Sequence, residues 1–154
     1  MMITSWRMTK AEHASTAFDG EGAKNNGGRW NRKGTPAIYT AWSRSLATLE
    51  ILVHMEQPNL LDQYVHIPVS FDDSLCIQIP TKDLPSDWKS DAVPVSTQML
   101  GSMWAHEKAS LILVLPSVII DTEFNYIINP QHPDFGKLKY GDPISYSLDP
   151  RMLK

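Results

Sequence analysis

The sequence predicts an α+β fold, a single compact domain with mixed or antiparallel sheets and a few helices. Strand-like segments follow one another in runs and do not alternate strictly with helical segments, a pattern typical of this class. We expect seven or eight short strands and two or three helices. The 154 residues are the size of one domain, so residues 1–154 are expected to share one core.

The first half of the chain alternates short strands with two helices. Ser43 is a suitable N-cap for a helix that continues to about Met55, before Pro58. A turn that contains Gly34 separates the second and third strands. The predicted strands are 3–8, 29–31 and 37–41, and a short helix is predicted within 10–18.

The second half is richer in strands. Pro68 predicts that the strand around it lies at an edge or at a bulge, because proline cannot donate to a ladder. Ser96 is expected to cap a helix, whose apolar stripe is Met99, Leu100, Met103 and Trp104. The predicted strands are 64–71, 74–79, a buried one within 110–120 that Pro116 interrupts, and short pieces at 126–128 and within 138–146.

Composition and charge exclude several classes of protein. The net charge of -3 and a pI near 5.9 argue against direct binding to nucleic acid or to an acidic membrane, since both need a basic face. The one cysteine, Cys76, cannot form an internal disulfide, which fits a reducing cytosol. The N-terminus lacks the apolar core of a signal peptide, and the longest apolar run, 111–115, cannot span a bilayer. A cytoplasmic protein is therefore expected.

Glu50 is the residue that most strongly suggests chemistry. It lies on a predicted helix that carries apolar residues on almost every side, and such a helix is usually buried. A buried carboxylate costs several kcal/mol unless it is paired or hydrogen-bonded. One interpretation is a Glu50–His54 pair, one helical turn apart. The other is a carboxylate that faces a cleft and meets a cationic or hydroxylated ligand.

Arg29 follows two glycines, Gly27 and Gly28, and precedes a basic turn. The glycines allow unusual dihedrals and close approach of a ligand to backbone N–H groups. A guanidinium at such a place can grip a phosphate with two hydrogen bonds. The alternative is an arginine on the edge of a plain hairpin. Neither a Walker loop nor a GxGxxG motif is present, so nucleotide binding of those two kinds is not expected.

Tyr39 and Ser117 complete the set of candidate residues. Tyr39 ends a strand just before the helix that carries Glu50, so Arg29, Tyr39 and Glu50 can converge at one sheet edge. A tyrosine there offers a ring for stacking and a hydroxyl, although a core tyrosine fits the pattern equally well. Ser117 follows Pro116 without a G-x-S-x-G elbow, which disfavours a serine hydrolase.

A metal site is not expected from this sequence. The five histidines are scattered, His106-Glu107 does not begin an HExxH motif, and a single cysteine cannot build a structural zinc site. Residues 129–133 (Asn-Pro-Gln-His-Pro) indicate a rigid polar turn.

One carboxylate, one arginine, one tyrosine and one serine fit a reaction on NAD⁺, although the match is not unique. Ordinary glycoside hydrolysis needs a second carboxyl group as general acid. Nicotinamide carries a positive charge on its ring nitrogen and leaves as a neutral base, so no acid is needed. One carboxylate can then stabilise the oxocarbenium-like ribose electrostatically.

The sequence also resembles the RES-domain family, which is named for an Arg-Glu-Ser set. Arg29, Glu50 and Ser117 fall on the three named positions and Tyr39 falls on the family's tyrosine, whereas Ser102 stands where an aspartate is expected. The resemblance extends from Trp6-Arg7 to about Arg151. The stretches that carry it are FDGEGA (18–23), GGRWN (27–31), AIYTA (37–41), LEILVH (49–54), LGSMW (100–104), LPSVI (115–119) and NYIINPQHPDF (125–135).

This resemblance implies a fold similar to that of ADP-ribosyltransferases and the role of toxin in a type II toxin–antitoxin pair. The implied activity is cleavage of the nicotinamide–ribose bond of NAD⁺ by hydrolysis or phosphorolysis, with NAD⁺ as substrate and no further cofactor. The implied partner is an Xre-like helix-turn-helix antitoxin, which would bind the DNA, and a homodimer within the complex is left open. The alternatives are a protein mono-ADP-ribosyltransferase and a non-catalytic module that binds the antitoxin.

The resemblance also implies a role for each candidate residue. Glu50 would stabilise the ribosyl cation and Ser117 would position the nicotinamide ribose. Arg29 would bind phosphate, with Arg7 as a second positive charge, and Tyr39 would stack or hydrogen-bond. The residues expected to contact NAD⁺ are Arg7, Gly28, Arg29, Trp30, Asn31 and Tyr39, and those expected to be catalytic are Arg29, Tyr39, Glu50 and Ser117.

Overall fold

One mixed β-sheet organises the protein, whose structure is a computed structural model that describes residues 1–147 and 149–153. Eight strands form the sheet: β1 Met2–Lys10, β2 Ile38–Ala41, β3 Tyr64–Asp72, β4 Cys76–Gln78, β5 Ile112–Pro116, β6 Phe124–Ile128, β7 Lys139–Tyr140 and β8 Ile144–Ser145. Three α-helices accompany it: α1 Glu21–Asn26, α2 Arg44–Leu52 and α3 Val95–Glu107. Short 3₁₀ helices lie at Ala11–Thr16, Pro58–Gln63, Asp73–Leu75, Thr81–Asp83, Phe135–Lys137 and Pro150–Leu153.

The strand order is β4-β5-β6-β2-β1-β3-β7, and β8 also pairs with β3. In the described part of the chain β4 and β5 run parallel, and the other pairs are antiparallel. The predicted α+β class with a mixed sheet is confirmed. No helix of the described residues is both long enough and apolar enough to cross a membrane.

The two faces of the sheet bury separate cores. On the face that we call the helix face, α2 covers Met8 and Ala41, while Trp30 and α3 pack over Leu113 and Ile127. The opposite face buries a second apolar cluster, formed by residues such as Ile38, Phe71, Ile112 and Ile128. Tyr39 lies directly across from Ile127 in the β2–β6 register, so its side chain stands on the helix face.

Several predicted elements differ from the observed ones. Segment 29–31 is not a strand, because the only pairing there is an isolated bridge between Gly28 and Asn31 among the described residues. The helix predicted within 10–18 is a 3₁₀ helix. Helix α2 is capped by Ser43 as predicted, with the side-chain oxygen accepting from Leu46 N–H at 3.1 Å. It lies on the sheet and is not buried all round, since Val53 just after it is 59% exposed.

Helix α3 begins two residues earlier than predicted and turns a different face inward. Pro94 occupies the N-cap position, while the hydroxyl of Ser96 donates to Asp87 Oδ1 at 2.6 Å. The buried positions are Thr97, Gly101, Trp104 and Ala105, whereas Met99 and Met103 of the predicted stripe are exposed. The core position of Trp104 is confirmed, and its indole N–H donates to Ser110 Oγ at 2.8 Å.

Strand β3 is not an edge strand as predicted from Pro68, because it pairs with β1 on one side and with β7 and β8 on the other. The Pro68 carbonyl accepts from Gly141 N–H at 2.9 Å, which places the missing N–H of the proline on the side of β7 and β8. Strand β8 pairs with β3 before Pro68, and β7 pairs with it after Pro68. The proline therefore divides this side of β3 into two short ladders.

A buried polar group lies where β3 passes under α2. His66 is 1% exposed, its Nδ1 accepts from Arg44 Nε at 3.0 Å, and its Nε2 lies 3.2 Å from Thr48 Oγ1. The hydroxyl of Thr48 donates to the carbonyl of Arg44 at 2.9 Å. The threonine oxygen therefore accepts from His66 Nε2–H, and the imidazole is neutral.

Acid is expected to destabilise the fold through His66. Burial, followed by the positive charge of Arg44, lowers the pKa of His66 from 6.5 to about 4. The unfolded chain binds this proton more readily than the folded one, so the free energy of unfolding decreases as the pH falls from 6.5 towards about 4. The free energy of unfolding, measured with urea, should decrease more between pH 7 and pH 5 in wild type than in His66→Gln.

The matched control for this prediction is His106→Gln, because His106 is exposed at the end of α3. That variant should keep the acid dependence of wild type. An equal loss of stability in wild type and in His66→Gln would show that His66 does not carry the effect.

Candidate active site

The glycine-rich segment between α1 and β2 forms a tight bridge. Gly27 has φ +74°, a conformation that favours glycine, and ends α1. Gly28 N–H donates to the carbonyl of Asn31 at 3.0 Å. A Cβ at Gly28 would lie 2.6 Å from the Tyr39 hydroxyl, so a larger residue would displace the tyrosine. The structure thus explains Gly28 by its contact with Tyr39, and no ligand needs to be invoked for it.

The Tyr39 hydroxyl ties β2 to this segment. It donates to Asn31 Oδ1 at 2.6 Å and accepts from Trp30 N–H at 3.0 Å. Burial raises the pKa of Tyr39 well above 10, although its hydrogen bond with Trp30 and the nearby charge of Arg29 act in the opposite direction. The phenol is therefore neutral and holds Asn31 and Trp30 in fixed positions.

Trp30 and Asn31 belong to the interior. Trp30 is 3% exposed and packs in the core between the sheet and α3, and Asn31 is 1% exposed. The Asn31 amide donates to the carbonyls of Ala23 at 2.8 Å and Thr35 at 3.0 Å. With these partners both residues brace the segment, and their contact with NAD⁺ stays a prediction.

Removing the Tyr39 hydroxyl is expected to destabilise the protein. In Tyr39→Phe the Asn31 oxygen and the Trp30 N–H lose their partner in a buried place, and we expect a loss of about 1–3 kcal/mol in the free energy of unfolding. Tyr126→Phe is the control, because the Tyr126 hydroxyl has no hydrogen bond among the described residues. Urea unfolding of the two variants tests this, and equal stabilities would contradict it.

Arg29 is partly buried and fastens a neighbouring loop. Its Nη1 donates to the carbonyls of Trp88 at 3.0 Å and Ser90 at 2.9 Å. Lys89 of the same loop forms an ion pair of 3.0 Å with Asp121, four residues after Ser117. The loop therefore links the Arg29 region to the turn that follows β5. The remaining Arg29 nitrogens, Nε and Nη2, have no partner within the described ranges.

Ser117 and Glu50 are in direct contact. Ser117 is fully buried, and its Oγ lies 2.7 Å from Glu50 Oε1 on α2. The same Oγ accepts from the N–H groups of Ile119 at 3.1 Å and Ile120 at 3.2 Å. Because these two bonds use both acceptor positions, the hydroxyl proton goes to Glu50. The serine therefore holds the carboxylate.

This contact bears on the first interpretation of Glu50, a pair with His54. The side chain is partly buried and its recorded partner is Ser117, 67 positions further along the chain, whereas His54 is exposed. The one-turn Glu50–His54 pair does not form among the described residues. In the structure the Ser117 hydroxyl is engaged with Glu50 and with two backbone N–H groups, and its role in positioning the ribose stays a prediction.

Arg7 does not join this group. It lies opposite Ile67 in the β1–β3 register, and Ile67 packs with Ala17 on the face of the sheet opposite to Tyr39. Its Nε donates to the carbonyl of Ala17 at 3.1 Å and its Nη1 to that of Tyr39 at 3.3 Å. Burial lowers the pKa of Arg7, and Asp19 partly compensates. Arg7 therefore links β2 to Ala17, which directly follows the first 3₁₀ helix.

Helix α3 supplies contacts that sequence reasoning missed. A Cβ on Gly101 would lie 1.7 Å from the carbonyl oxygen of Trp30, so α3 rests directly on this backbone. Ser102 Oγ accepts from Arg32 N–H at 2.9 Å, and Gln98 Nε2 donates to Gly28 O at 3.1 Å. Ser102 thus supplies an acceptor, as an aspartate could there. A glycine in the middle of a helix is the one signal that could have revealed this contact.

The arrangement offers one oriented carboxylate and one partly buried cation on the helix face, with a neutral tyrosine between the sheet and the glycine segment. A carboxylate held by a buried donor has the fixed geometry that electrostatic catalysis needs. These residues line neither of two surface clefts of about 450 and 530 Å³, which lie elsewhere on the molecule.

Fold and site together define an α+β protein in which a carboxylate on α2 is fixed by a serine that follows the buried strand β5. The family model described as "RES domain" matches residues 4–149, and the chain belongs to the RES domain family. A protein of Yersinia enterocolitica named "Toxin Res" is 36% identical over 148 residues, which cover 96% of this chain and 97% of that protein. A "Prs ADP-ribosylating toxin" of a Sphingobium species is also 36% identical, over 100% of this chain and 99% of that protein.

A solved structure has the same fold. The crystal structure of the M. tuberculosis MbcT-MbcA toxin-antitoxin complex matches with a TM-score of 0.76 and covers 99% of this chain and 87% of the matched chain. The sequence identity of 22% limits the likeness to the fold. The predicted fold class is confirmed, and so is the resemblance to the RES family.

Proposed function

We propose that this RES-family chain is the toxin of a type II toxin–antitoxin pair and that it degrades NAD⁺ by cleaving the nicotinamide–ribose bond. The observation that carries the proposal is the Glu50 carboxylate, partly buried and held at 2.7 Å by the buried Ser117 hydroxyl. The names of the relatives, "Toxin Res" and "ADP-ribosylating toxin", support it.

In the proposed mechanism Glu50 acts through its charge. Nicotinamide leaves NAD⁺ as a neutral base, so the positive charge that develops on the ribose is what needs stabilisation. Ser117 occupies one carboxylate oxygen of Glu50 and fixes its direction, and the second oxygen faces the ribosyl cation. The acceptor of the ADP-ribose is water or phosphate, which gives hydrolysis or phosphorolysis. No cofactor besides the substrate is required.

Arg29 is the proposed group for the pyrophosphate. Its Nη1 is held by two carbonyl groups, and Nε and Nη2 have no partner among the described residues, so they can donate to phosphate oxygens. Tyr39, Trp30, Asn31 and Gly28 then act mainly by keeping this segment rigid. Arg7 contributes through its contacts with backbone carbonyls rather than through a direct contact with NAD⁺.

An antitoxin is the proposed partner. The fold neighbour was solved as a toxin–antitoxin complex, and the acidic balance of this chain suits a pair in which the other member binds DNA. We assign that member to the Xre-like helix-turn-helix class on the basis of the family resemblance. The proposed place of action is the cytoplasm, where NAD⁺ is found.

Transfer of ADP-ribose to a protein is the second candidate function. The Sphingobium relative whose name states this activity is as similar to the chain as the Yersinia toxin, at 36% identity each. Sequence identity therefore does not separate the two activities. Both begin with the same bond cleavage and differ in the acceptor.

The test is release of nicotinamide from NAD⁺ by the purified protein, with and without phosphate. Hydrolysis gives release in both cases, and phosphorolysis gives faster release with phosphate. Labelled NAD⁺ added to a cell extract should mark a protein band only if the second candidate is right. If hydrolysis, phosphorolysis and protein labelling are all absent and calorimetry shows no heat of NAD⁺ binding, the chain is a non-catalytic module that binds the antitoxin.

A further inference from the structure

A second cleft lies beside α2, on a different side of the helix from Glu50. Thr48 lines it, and since Glu50 is two residues further on, the two side chains point away from each other. The cleft has a volume of about 530 Å³. Its other lining residues come from α2, from β3, from β8 and from the segment after β8: Arg44, Ser45, Leu49, His66, Ser145, Tyr146, Ser147 and Met152.

Arg44 is the charged group of this cleft and is held from two sides. Its Nε donates to His66 Nδ1 at 3.0 Å, and the guanidinium carbon lies 5.7 Å from the ring centre of Trp6. These contacts fix the plane of the guanidinium through Nε. Neither Nη1 nor Nη2 has a partner in the part of the chain that the structure describes. The two terminal nitrogens form the fork that binds a phosphate oxygen pair.

The remaining polar groups of the cleft are suited to an anion. His66 is neutral and Thr48 Oγ1 is already engaged with it, so neither opposes a negative charge. Ser45, Ser145 and Ser147 add three hydroxyl groups that can donate. No aspartate or glutamate is among the described residues that line the cleft, so Arg44 has no carboxylate there.

We propose that this cleft binds the phosphate group of a small phosphorylated metabolite, with Arg44 as the anchor and the serine hydroxyls as additional donors. The volume exceeds what a phosphate ion needs and lies within the usual range for small-molecule sites. The ligand class is therefore a small phosphate monoester, such as a sugar phosphate, with Leu49, Tyr146 and Met152 beside its body. This site is separate from the one proposed for NAD⁺ and does not depend on that activity.

The proposal is tested by NMR on the whole ¹⁵N-labelled chain without NAD⁺. Inorganic phosphate and ribose 5-phosphate are titrated separately at constant ionic strength, with sodium chloride as the reference. We expect saturable shifts of the Arg44 Nε–Hε signal and of the Ser145 and Ser147 amides, with dissociation constants of roughly millimolar order. Absence of saturable shifts at these groups, or saturation only around Arg29, overturns the proposal.

A pair of variants separates a specific site from general charge effects. Arg44→Gln should weaken the binding of ribose 5-phosphate by about tenfold or more, while Arg32→Gln, which removes an exposed arginine, should leave it unchanged. Equal weakening in both variants would overturn the proposal. If Arg44→Gln does not fold, Ser147→Ala at the exposed rim replaces it, and unchanged binding and unchanged shifts there would count against the site.

Discussion

Replacing Glu50 with glutamine is expected to slow the cleavage of NAD⁺ by about 10³-fold. The amide oxygen of glutamine can still accept the hydrogen bond from Ser117, so the position of the side chain is kept. Only the negative charge is lost, which in the proposed mechanism stabilises the ribosyl cation. Nicotinamide release by the purified variant measures the effect, and relief of growth inhibition in cells should accompany it.

The control for this experiment is Glu107→Gln, which removes an exposed carboxylate at the end of α3. This variant should cleave NAD⁺ at the wild-type rate. Circular dichroism and urea unfolding should be the same for both variants and for wild type, so that a change of activity cannot be due to unfolding. A Glu50→Gln protein with the wild-type rate would exclude the proposed role of the carboxylate.

Replacing Gly101 with alanine is expected to cost more stability than the same change at any other glycine, about 3 kcal/mol or more. The added Cβ would lie 1.7 Å from the carbonyl oxygen of Trp30 and 2.7 Å from its carbonyl carbon. Both groups are backbone, so no side-chain rotation relieves the clash. Helix α3 or the Gly28–Asn31 bridge must move, and the packing of Trp30 and Trp104 is lost with it.

Gly22→Ala is the matched control, since Gly22 also lies in a helix but a Cβ there meets nothing within 4 Å. That change should leave stability unchanged or raise it by about 0.5–1 kcal/mol through helix propensity. Urea unfolding of both variants gives the comparison. If Gly101→Ala were as stable as Gly22→Ala, the direct contact of α3 with the Trp30 backbone would be wrong.

The fold class and most strands follow from local patterns in the sequence. Alternation predicted β1 and β3, a run of apolar residues predicted β5, and Ser43 marked the start of α2. These features depend on neighbours within a few residues. The segment 29–31 was misread as a strand because its extended pattern resembles one, while its backbone is held by the Tyr39 hydroxyl and by the Asn31 side chain.

The candidate site was predicted only as a set of residues. Glu50 could be singled out because a carboxylate among apolar residues needs a partner, but the partner is 67 positions away and no local pattern names it. The inward face of α3 was likewise decided by a tertiary contact, at Gly101, which overrides the hydrophobic stripe. The burial of Trp30 under α3 and the hydrogen bonds of Asn31 to Ala23, Thr35 and Tyr39 are tertiary contacts too, and spacing along the chain does not reveal them.

The proline in β3 has a consequence for the free protein in solution. The sheet has two edges in the described residues. One edge is β4, which has three residues. At the other edge β7 and β8, of two residues each, pair with β3 on either side of Pro68. Neither edge presents a long row of unpaired N–H and C=O groups to a second molecule. The chain is thus protected against edge-to-edge aggregation without needing a partner protein to cover its sheet.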